Sequence, residues 1–553
     1  MTEQVVNYYL KKGFLVSPDL LTSLTSEIQE KVPKLANEKI KNSKHLAVLN
    51  KDLFYLINHS LSKLEINWSE FEKSRLLLEK GKDTKNYKTF LDLMDYNISP
   101  EKKEELNSLL QEVKIPQQGI VEEINSPEEE TYPVIILKSY NKPPEKKDVQ
   151  DFVGHYKARY NSLKKILASR PELATVISIN RLYNKQNREE AALIGIVIDK
   201  SITKNNHLLF SIEDITGTIN VMVSQKKEEL YTQAKDILVD EVIGIKGTMG
   251  EKIVFATQLF IPDIPKTNIL KKSPHEVYAA FISDVHIGSR LFLEEDLLKF
   301  IRWLNLESGN EGQKELAKKV KYLFIAGDLV DGIGIFPSQY EELAIPDITE
   351  QYNKAAEILS KVRKDINMIL IPGNHDAGRI SEPQPPLNKQ YAEKLYEIPN
   401  LTITTNPSLV NIASTPEFEG INVLVYHGYS YDFYAEQVES IRRSGIGISH
   451  RVSSVMKYLL QRRHLAPVHG STLFIPDKEE DPLVIDKIPD IFVSGHIHKA
   501  DIISYNNVTL ICSSCWQSRS DFQEKTGHTP EPGRVPLVNL KTRETKMLKF
   551  IQE

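Results

Sequence analysis

Apolar and polar positions alternate with different periods along this chain, and the changes of period mark its parts. From about residue 271 onward, short continuous apolar runs of strand length alternate with helical-period stretches at 293–306, 352–362 and 390–395. That alternation predicts a layered α/β fold, with closing strands at 508–512 and 536–540. Residues 172–265 change to five short β-type runs, at 193–198, 208–212, 219–223, 242–247 and 253–255. A turn at 213–217 separates the second from the third, and a helical stretch at 225–234 follows the third. Five strands with a helix in that place predict an OB-fold barrel.

Upstream, the period is helical again at 149–167, with Phe152, Tyr156, Tyr160, Leu163 and Ile166 on one face. The stretch before it, 98–147, carries Pro100, Pro116, Pro127, Pro133, Pro143 and Pro144 and the acidic run from Glu128 to Glu130. Low hydrophobicity with proline after proline predicts a flexible tether. A charged helical stretch precedes it from 71. Residues 1–70 read as a small helical domain: Ser17, Pro18 and Asp19 form a helix start, and Leu20, Leu21, Leu24 and Ile28 follow at helical spacing. Leu53, Phe54, Leu56 and Ile57 complete its core, and a docking role suits it. The expected divisions are therefore 1–70 (helical domain), 71–147 (charged helix and tether), 148–170 (linking helix), 171–270 (barrel) and 271–553 (α/β domain).

Composition agrees with several globular parts. With 553 residues, 41% hydrophobic and 26% charged, the chain is too long for one core and predicts about three or four domains. No apolar stretch approaches the roughly 18 residues of a membrane span, and the start lacks the pattern of a secretory signal, so a cytoplasmic protein is expected. Two cysteines, Cys512 and Cys515, exclude a disulfide scaffold; their pairing as a zinc or redox motif lacks a second ligand pair, and a buried strand end is the better reading. The net charge of −5 argues against a surface coated for nucleic acid, so any such contact is local or supplied by a partner. The barrel, poor in surface aromatics, suits either partner docking or contact with a single strand. Arg442, Arg443, Arg451, Lys457, Arg462 and Arg463 form the densest basic group; it reads either as a solvated face or as a surface for a DNA backbone or a large partner protein.

The chemistry lies where the apolar runs end. The run at 277–282 ends in Asp284-x-His286, and one intervening residue in extended backbone puts both side chains on one side. Four later runs repeat the device, ending at Asp328, at Asn374-His375-Asp376, at His427, and at His496-x-His498. Taken singly, each is what an ordinary loop polar group looks like; the recurrence singles them out. Donors at the ends of five strands would emerge on one rim of the sheet, where α/β folds bind ligands. Carboxylate plus imidazole without cysteine suits Mn, Fe or Zn rather than a closed structural zinc. Asp284, His286, Asp328, Asn374, His375, His427, His496 and His498 are too many for one ion, and two ions about 3.5–4 Å apart would use them.

Asp-x-His, Gly-Asp-x-x-Asp, Gly-Asn-His-Asp, a strand ending in His, and Gly-His-x-His occur here in order. In this the sequence resembles the calcineurin-like metallophosphoesterases, which implies that the α/β domain is a layered β-sandwich flanked by helices. The resemblance implies one metal on Asp284, His286 and His498, a second on Asn374, His427 and His496, and Asp328 between them. It gives His375 the scissile phosphate rather than a metal, and Asp331 and Asp376 the orientation of these groups. Fold class alone does not choose the substrate. The order of helical module, tether, barrel and phosphoesterase resembles the B-subunits of replicative DNA polymerases, and with the ligands intact, the archaeal family D small subunits. That implies a 3′-to-5′ exonuclease removing misincorporated nucleotides from DNA 3′ ends, single-stranded or mismatched, held on a large catalytic subunit, with other replication factors meeting the N-terminal module. Two alternatives stay open: a stand-alone phosphoesterase on phosphoproteins or small phosphodiesters, and a non-catalytic scaffold. Trp516 and Phe522 read as packing residues, with stacking on a base as the alternative.

Overall fold

In the computed structural model the described residues are 132–445, 447, 451–520, 523–524 and 529–551, with short strands at 14–16, 40–41, 47–49 and 66–67. The chain divides into two units, Met1–Pro127 and Glu128–Glu553. In the first unit Phe14–Val16 pairs in parallel with Ala47–Leu49, and Ile40–Lys41 with Ile66–Asn67. The helices expected at 17–28, around 53–57 and from 71 lie outside the described residues.

Continuous apolar runs become central strands of the second unit because both of their faces are covered. Tyr278–Ile282, Val320–Ala326 and Asn367–Ile371 pair in parallel at the centre of a six-stranded sheet, with Leu401–Ile403 at one side and Arg534–Asn539 and Thr545–Lys549 at the other. A second six-stranded sheet runs in the order Asp501–Tyr505, Val508–Cys512, Ile491–Ser494, Ile421–Val425, Ser408–Ile412 and Val134–Ser139. Their inner faces meet through Phe281, Phe324, Ile369, Val423, Ile491 and Ile511, all fully buried. On the outer face of the first sheet, Glu294–Leu304 and Ile348–Leu359 bury Phe300, Ile301, Tyr352 and Leu359. Val452–Arg462 covers the second sheet with Val455, Met456, Leu459 and Leu460. The order is helix, sheet, sheet, helix.

Ahead of this sandwich, Glu190–Ile202, Leu208–Asp214, Gly217–Val223, Val242–Met249 and Ile253–Phe260 close into a five-stranded barrel, with the helix Glu228–Lys235 between the third and fourth strands. Leu193, Phe210, Val221, Ile245 and Val254 fill it.

Two expectations are corrected. The tether does not extend to 147: Val134–Ser139 is an edge strand, antiparallel to Ser408–Ile412, with Ile136 opposite Val410. Its partner strand lies some 270 residues later (Lys138 O accepts from Ser408 Oγ at 3.1 Å), so nothing local marks it. The linking helix, Val149–Ala168, starts at a capping box on Asp148 but buries a rotated face, with His155, Arg159, Tyr160, Leu163 and Leu167 inside and Phe152 exposed. The rotation follows from a charge: buried Asp481 accepts from Arg159 Nε at 2.6 Å, so a polar side chain takes a core position that apolar periodicity cannot reveal.

Candidate metal centre

Each candidate ligand stands at the carboxyl end of a strand. Asp284 and His286 follow Tyr278–Ile282, Asp328 follows Val320–Ala326, and Asn374 follows Asn367–Ile371. His427 follows Ile421–Val425, and His496 and His498 follow Ile491–Ser494. The backbone turns sharply there: Asp284, His286, Asp328, His496 and His498 all have positive φ, between 50° and 71°. L-residues pay about 1–3 kcal/mol for such conformations, which concentrate where function requires them. Two glycines beside the ligands answer to close approach. A Cβ on Gly373 would collide with the Asp328 carboxylate, and one on Gly495 with that of Asp284.

The chelating atoms of the candidate ligands gather in two sets, and His286 also belongs to a third with Asp331 and His375. Asp284, His286 and His498 bring one ligand atom each within 4.8 Å of the others, and Asp328, His427 and His496 do the same. In the first set, His286 Nε2 faces His498 Nε2 at 3.1 Å, and the latter lies 3.4 Å from Asp284 Oδ1. In the second, His427 Nδ1 donates to the Ala326 carbonyl at 2.8 Å. Its Nε2 therefore turns a lone pair toward Asp328 Oδ2 at 3.2 Å and Asn374 Oδ1 at 3.0 Å. Three lone-pair atoms converging in a buried pocket repel one another unless a cation stands among them. Burial opposes a second proton on His427, yet the Asp328 carboxylate draws its pKa up to about 10. The positive charge that this pocket attracts as a proton is the charge a divalent cation supplies, so the residues fit a metal.

Surrounding groups orient these ligands. Asp331 Oδ1 accepts from His286 Nδ1 at 3.1 Å, and the Asp284 carboxylate accepts from His496 N at 3.0 Å. Asp376 is fully buried and accepts from Gly373 N, Leu329 N and the Tyr352 hydroxyl. Burial, reinforced by the Asp328 charge, pushes its pKa up to about 6. Asp328 goes the other way: burial opposes its ionisation, but the imidazoles of His427 and His375 hold it well below the usual carboxylate range. His375 stands at the edge of this group. Its backbone N donates to Asp328 Oδ1 at 2.8 Å and its Nδ1 to the Asp331 carbonyl at 2.7 Å.

Periodicity did not single out Gln339, Gln517 or Gln523. Gln339 and Gln517 donate to the two Asp331 oxygens at 2.9 and 3.1 Å, and Gln523 Nε2 lies 2.8 Å from His498 Nδ1. An amide in a loop carries no signal of its own; only the spacing of Gln517, just past a closing strand, could have drawn attention to it. Asp432, 3.5 Å from His496 Nε2, and Tyr429, whose ring meets that of His496, were also missed.

The basic group does not form one surface. Arg442 and Arg443 are exposed, whereas Arg462 and Arg463 are buried. Arg462 Nε donates to Glu241 Oε2 of the barrel at 3.1 Å with its guanidinium over the Tyr458 ring, and Arg463 caps the carbonyls of Ile485 and Asp486. Arg462 thus joins barrel to sandwich, and Arg463 ties two segments within the sandwich domain; neither is open to a nucleic acid. Arg451 is half-buried and donates to the Ala435 carbonyl, and exposed Lys457 lies over the Tyr505 ring. Trp516 is fully buried against Phe300, Phe522 lies outside the described residues, and both cysteines are buried and unpaired. No helix among the described residues is long and apolar enough to cross a membrane.

The family of B-subunits of DNA polymerases alpha and epsilon matches residues 279–501. The chain is 40% identical over 406 residues to the DNA polymerase II small subunit of Methanothermobacter thermautotrophicus, a match that covers 73% of this chain and 80% of that protein. Against the protein of the same description from Pyrococcus abyssi it is 38% identical over 405 residues, and against that of Halobacterium salinarum 35%. It spans 63% of the Pyrococcus abyssi relative's length, less than two thirds, and 75% of the Halobacterium one. Among solved structures, an archaeal phosphodiesterase aligns over 49% of this chain and 99% of its own, at 14% identity and a TM-score of 0.25. A likeness that weak carries no argument.

Proposed function

The chain belongs to the family of archaeal DNA polymerase II small subunits, and from that premise we propose that it is the proofreading subunit of a two-subunit replicative polymerase. In this reading it removes nucleotides from DNA 3′ ends as a two-metal 3′-to-5′ exonuclease, bound to a large catalytic subunit. The sandwich is a calcineurin-like metallophosphoesterase domain and the barrel an OB-fold. Asp284, His286 and His498 would hold one divalent ion and Asn374, His427 and His496 the other, with Asp328 available to both. Mn supports activity, and Fe or Zn fit the same donors.

One observation carries the reading: the convergence of His427 Nε2, Asp328 Oδ2 and Asn374 Oδ1, next to a second carboxylate–imidazole set. Family membership alone is met equally by a subunit that only scaffolds; an intact donor set at considerable backbone strain favours hydrolysis. Divalent ions there would polarise a phosphodiester and activate water at neutral pH. The chain's own residues do the rest. With its Nδ1 proton committed to the Asp331 carbonyl, His375 can serve the leaving oxygen only from Nε2, which must first take up a proton from water against the burial that holds its pKa below the ordinary value.

The test uses full-length protein loaded with Mn on a single strand labelled at either end. Release of mononucleotides from the 3′ end, lost in His375→Ala while about two metals per chain remain bound, supports the reading. Metal-loaded protein that degrades no DNA sinks it in favour of a scaffold.

A further inference from the structure

The cleft over the donor sets has walls of unusual chemistry for a nuclease. Among the described residues that line it are His286, Asp328, Asn374, His375, His496 and His498, and none of those described is a lysine or arginine. The charges it adds beyond the centre are the carboxylates of Glu342 and Asp432. Those walls therefore add no described side-chain cation for a long phosphate backbone beyond the charge that ions in the donor sets would supply. Its mouth instead offers two aliphatic side chains to solvent, Leu473 (57% exposed) and Ile380 (41% exposed). Placed on two segments beside a polar cleft, they offer a ligand in that cleft an apolar contact.

The backbone segments that carry them are tied together. Glu382 N donates to the Leu473 carbonyl at 2.8 Å, and Ile475 N to the Glu382 carbonyl at 2.9 Å, which ties the two rim segments together. Beneath them the Glu382 side chain is buried and accepts from the Tyr426 hydroxyl at 3.0 Å. Gln384 Nε2 donates to the carbonyls of Gly373 and Arg379 at 2.9 and 3.2 Å, and its Oε1 accepts from Asn406 Nδ2. Asn406 Oδ1 in turn accepts from His427 N at 3.0 Å. The rim is therefore linked by hydrogen bonds to the segments that carry Asn374 and His427.

We propose that Ile380 and Leu473 are an apolar wedge that grips the unpaired base at the end of a DNA strand, so that its phosphodiester falls on the second donor set. This rests on the hydrolase reading above and adds what selects the substrate. Every base has an apolar face, so the grip is tolerant of sequence. A base within a duplex has both faces covered and a paired terminal base still has one covered, so only a frayed or mismatched end offers both faces to the wedge. Discrimination between paired and unpaired ends then comes from the walls rather than from the metal centre.

The experiment compares full-length wild type with the double variant Ile380→Ser/Leu473→Ser on two single strands, one ordinary and one abasic at its last nucleotides. The expected result is a KM raised about tenfold on the ordinary strand, with kcat and metal content unchanged and no further loss on the abasic one. Ile380→Val/Leu473→Met should restore the ordinary strand. Unchanged KM on the ordinary strand overturns the proposal, and so does an equal loss on both strands. Loss of the copurifying large subunit with unaltered DNA kinetics also overturns it, by giving the patch to a protein contact. Wild type that cleaves neither strand fails the hydrolase reading, and the wedge falls with it.

Discussion

His427 Nε2 and Asp328 Oδ2 face each other at 3.2 Å, with neither residue open to solvent. The contact is favourable only with a positive charge in it. Divalent metal should therefore stabilise the chain: adding Mn to protein stripped with chelator at about 100 times Kd should raise unfolding free energy by about 2.7 kcal/mol. Calorimetry reads the shift, and mass spectrometry of bound metal should find one ion fewer in His427→Ala. Stability indifferent to Mn, Fe and Zn alike would refute the metal centre.

Asp331 fixes a tautomer. Accepting from His286 Nδ1 at 3.1 Å, it keeps Nε2 as the lone pair aimed at the first donor set. Asp331→Asn weakens that hold and sets an amide against the donors Gln339 and Gln517. Metal affinity should drop by about 10–100-fold, measured by titration calorimetry, with the fold retained by circular dichroism. Wild-type affinity in the variant would show that the aspartate does not orient the ring.

Arg159 joins the linking helix to the sandwich. Its Nε donates to Asp481 at 2.6 Å and its Nη1 to the Pro467 carbonyl at 2.5 Å, all out of reach of solvent. Arg159→Ala leaves a buried carboxylate with only histidines beside it, and breaking such a pair costs about 3–5 kcal/mol. Urea unfolding should report that loss, while Arg159→Met together with Asp481→Leu recovers part of it. An Arg159→Ala protein as stable as wild type would show the pair to be incidental.

Glu382 sets a pH dependence. Burial raises its pKa to about 7 from an ordinary 4.5, against the pull of its Thr472 and Tyr426 hydrogen bonds. A raised folded-state pKa means that the folded chain holds the proton more tightly than the unfolded one. Its stabilising effect is complete below about pH 4.5 and is lost as pH rises through about 7. Between pH 4.5 and 8 the gap between wild type and Glu382→Gln should therefore move by on the order of 3 kcal/mol in the variant's favour. Urea midpoints at several pH values in chelator test this, and parallel curves would rule it out.

Much of this was legible in the order of residues alone. The runs ending at Asp284, Asp328, Asn374, His427 and His496 could be found because each lies within one local pattern, a buried strand followed by a polar end. The five barrel strands were legible for the same reason. Where such reading failed, the partner was remote. Val134–Ser139 looks like proline-bounded linker until Ser408–Ile412 supplies its hydrogen bonds. Arg462 and Arg463 look like a basic surface until Glu241 and the 485–486 carbonyls take them inside.

Local order in the chain thus determined which elements form and which residue types end them, because periodicity and turn chemistry act over a few neighbouring positions. Tertiary structure alone decided which of those ends meet, which charges are enclosed, and where the apolar rim stands relative to the donors. Burial and convergence depend on contacts between segments hundreds of positions apart, and no local pattern encodes them.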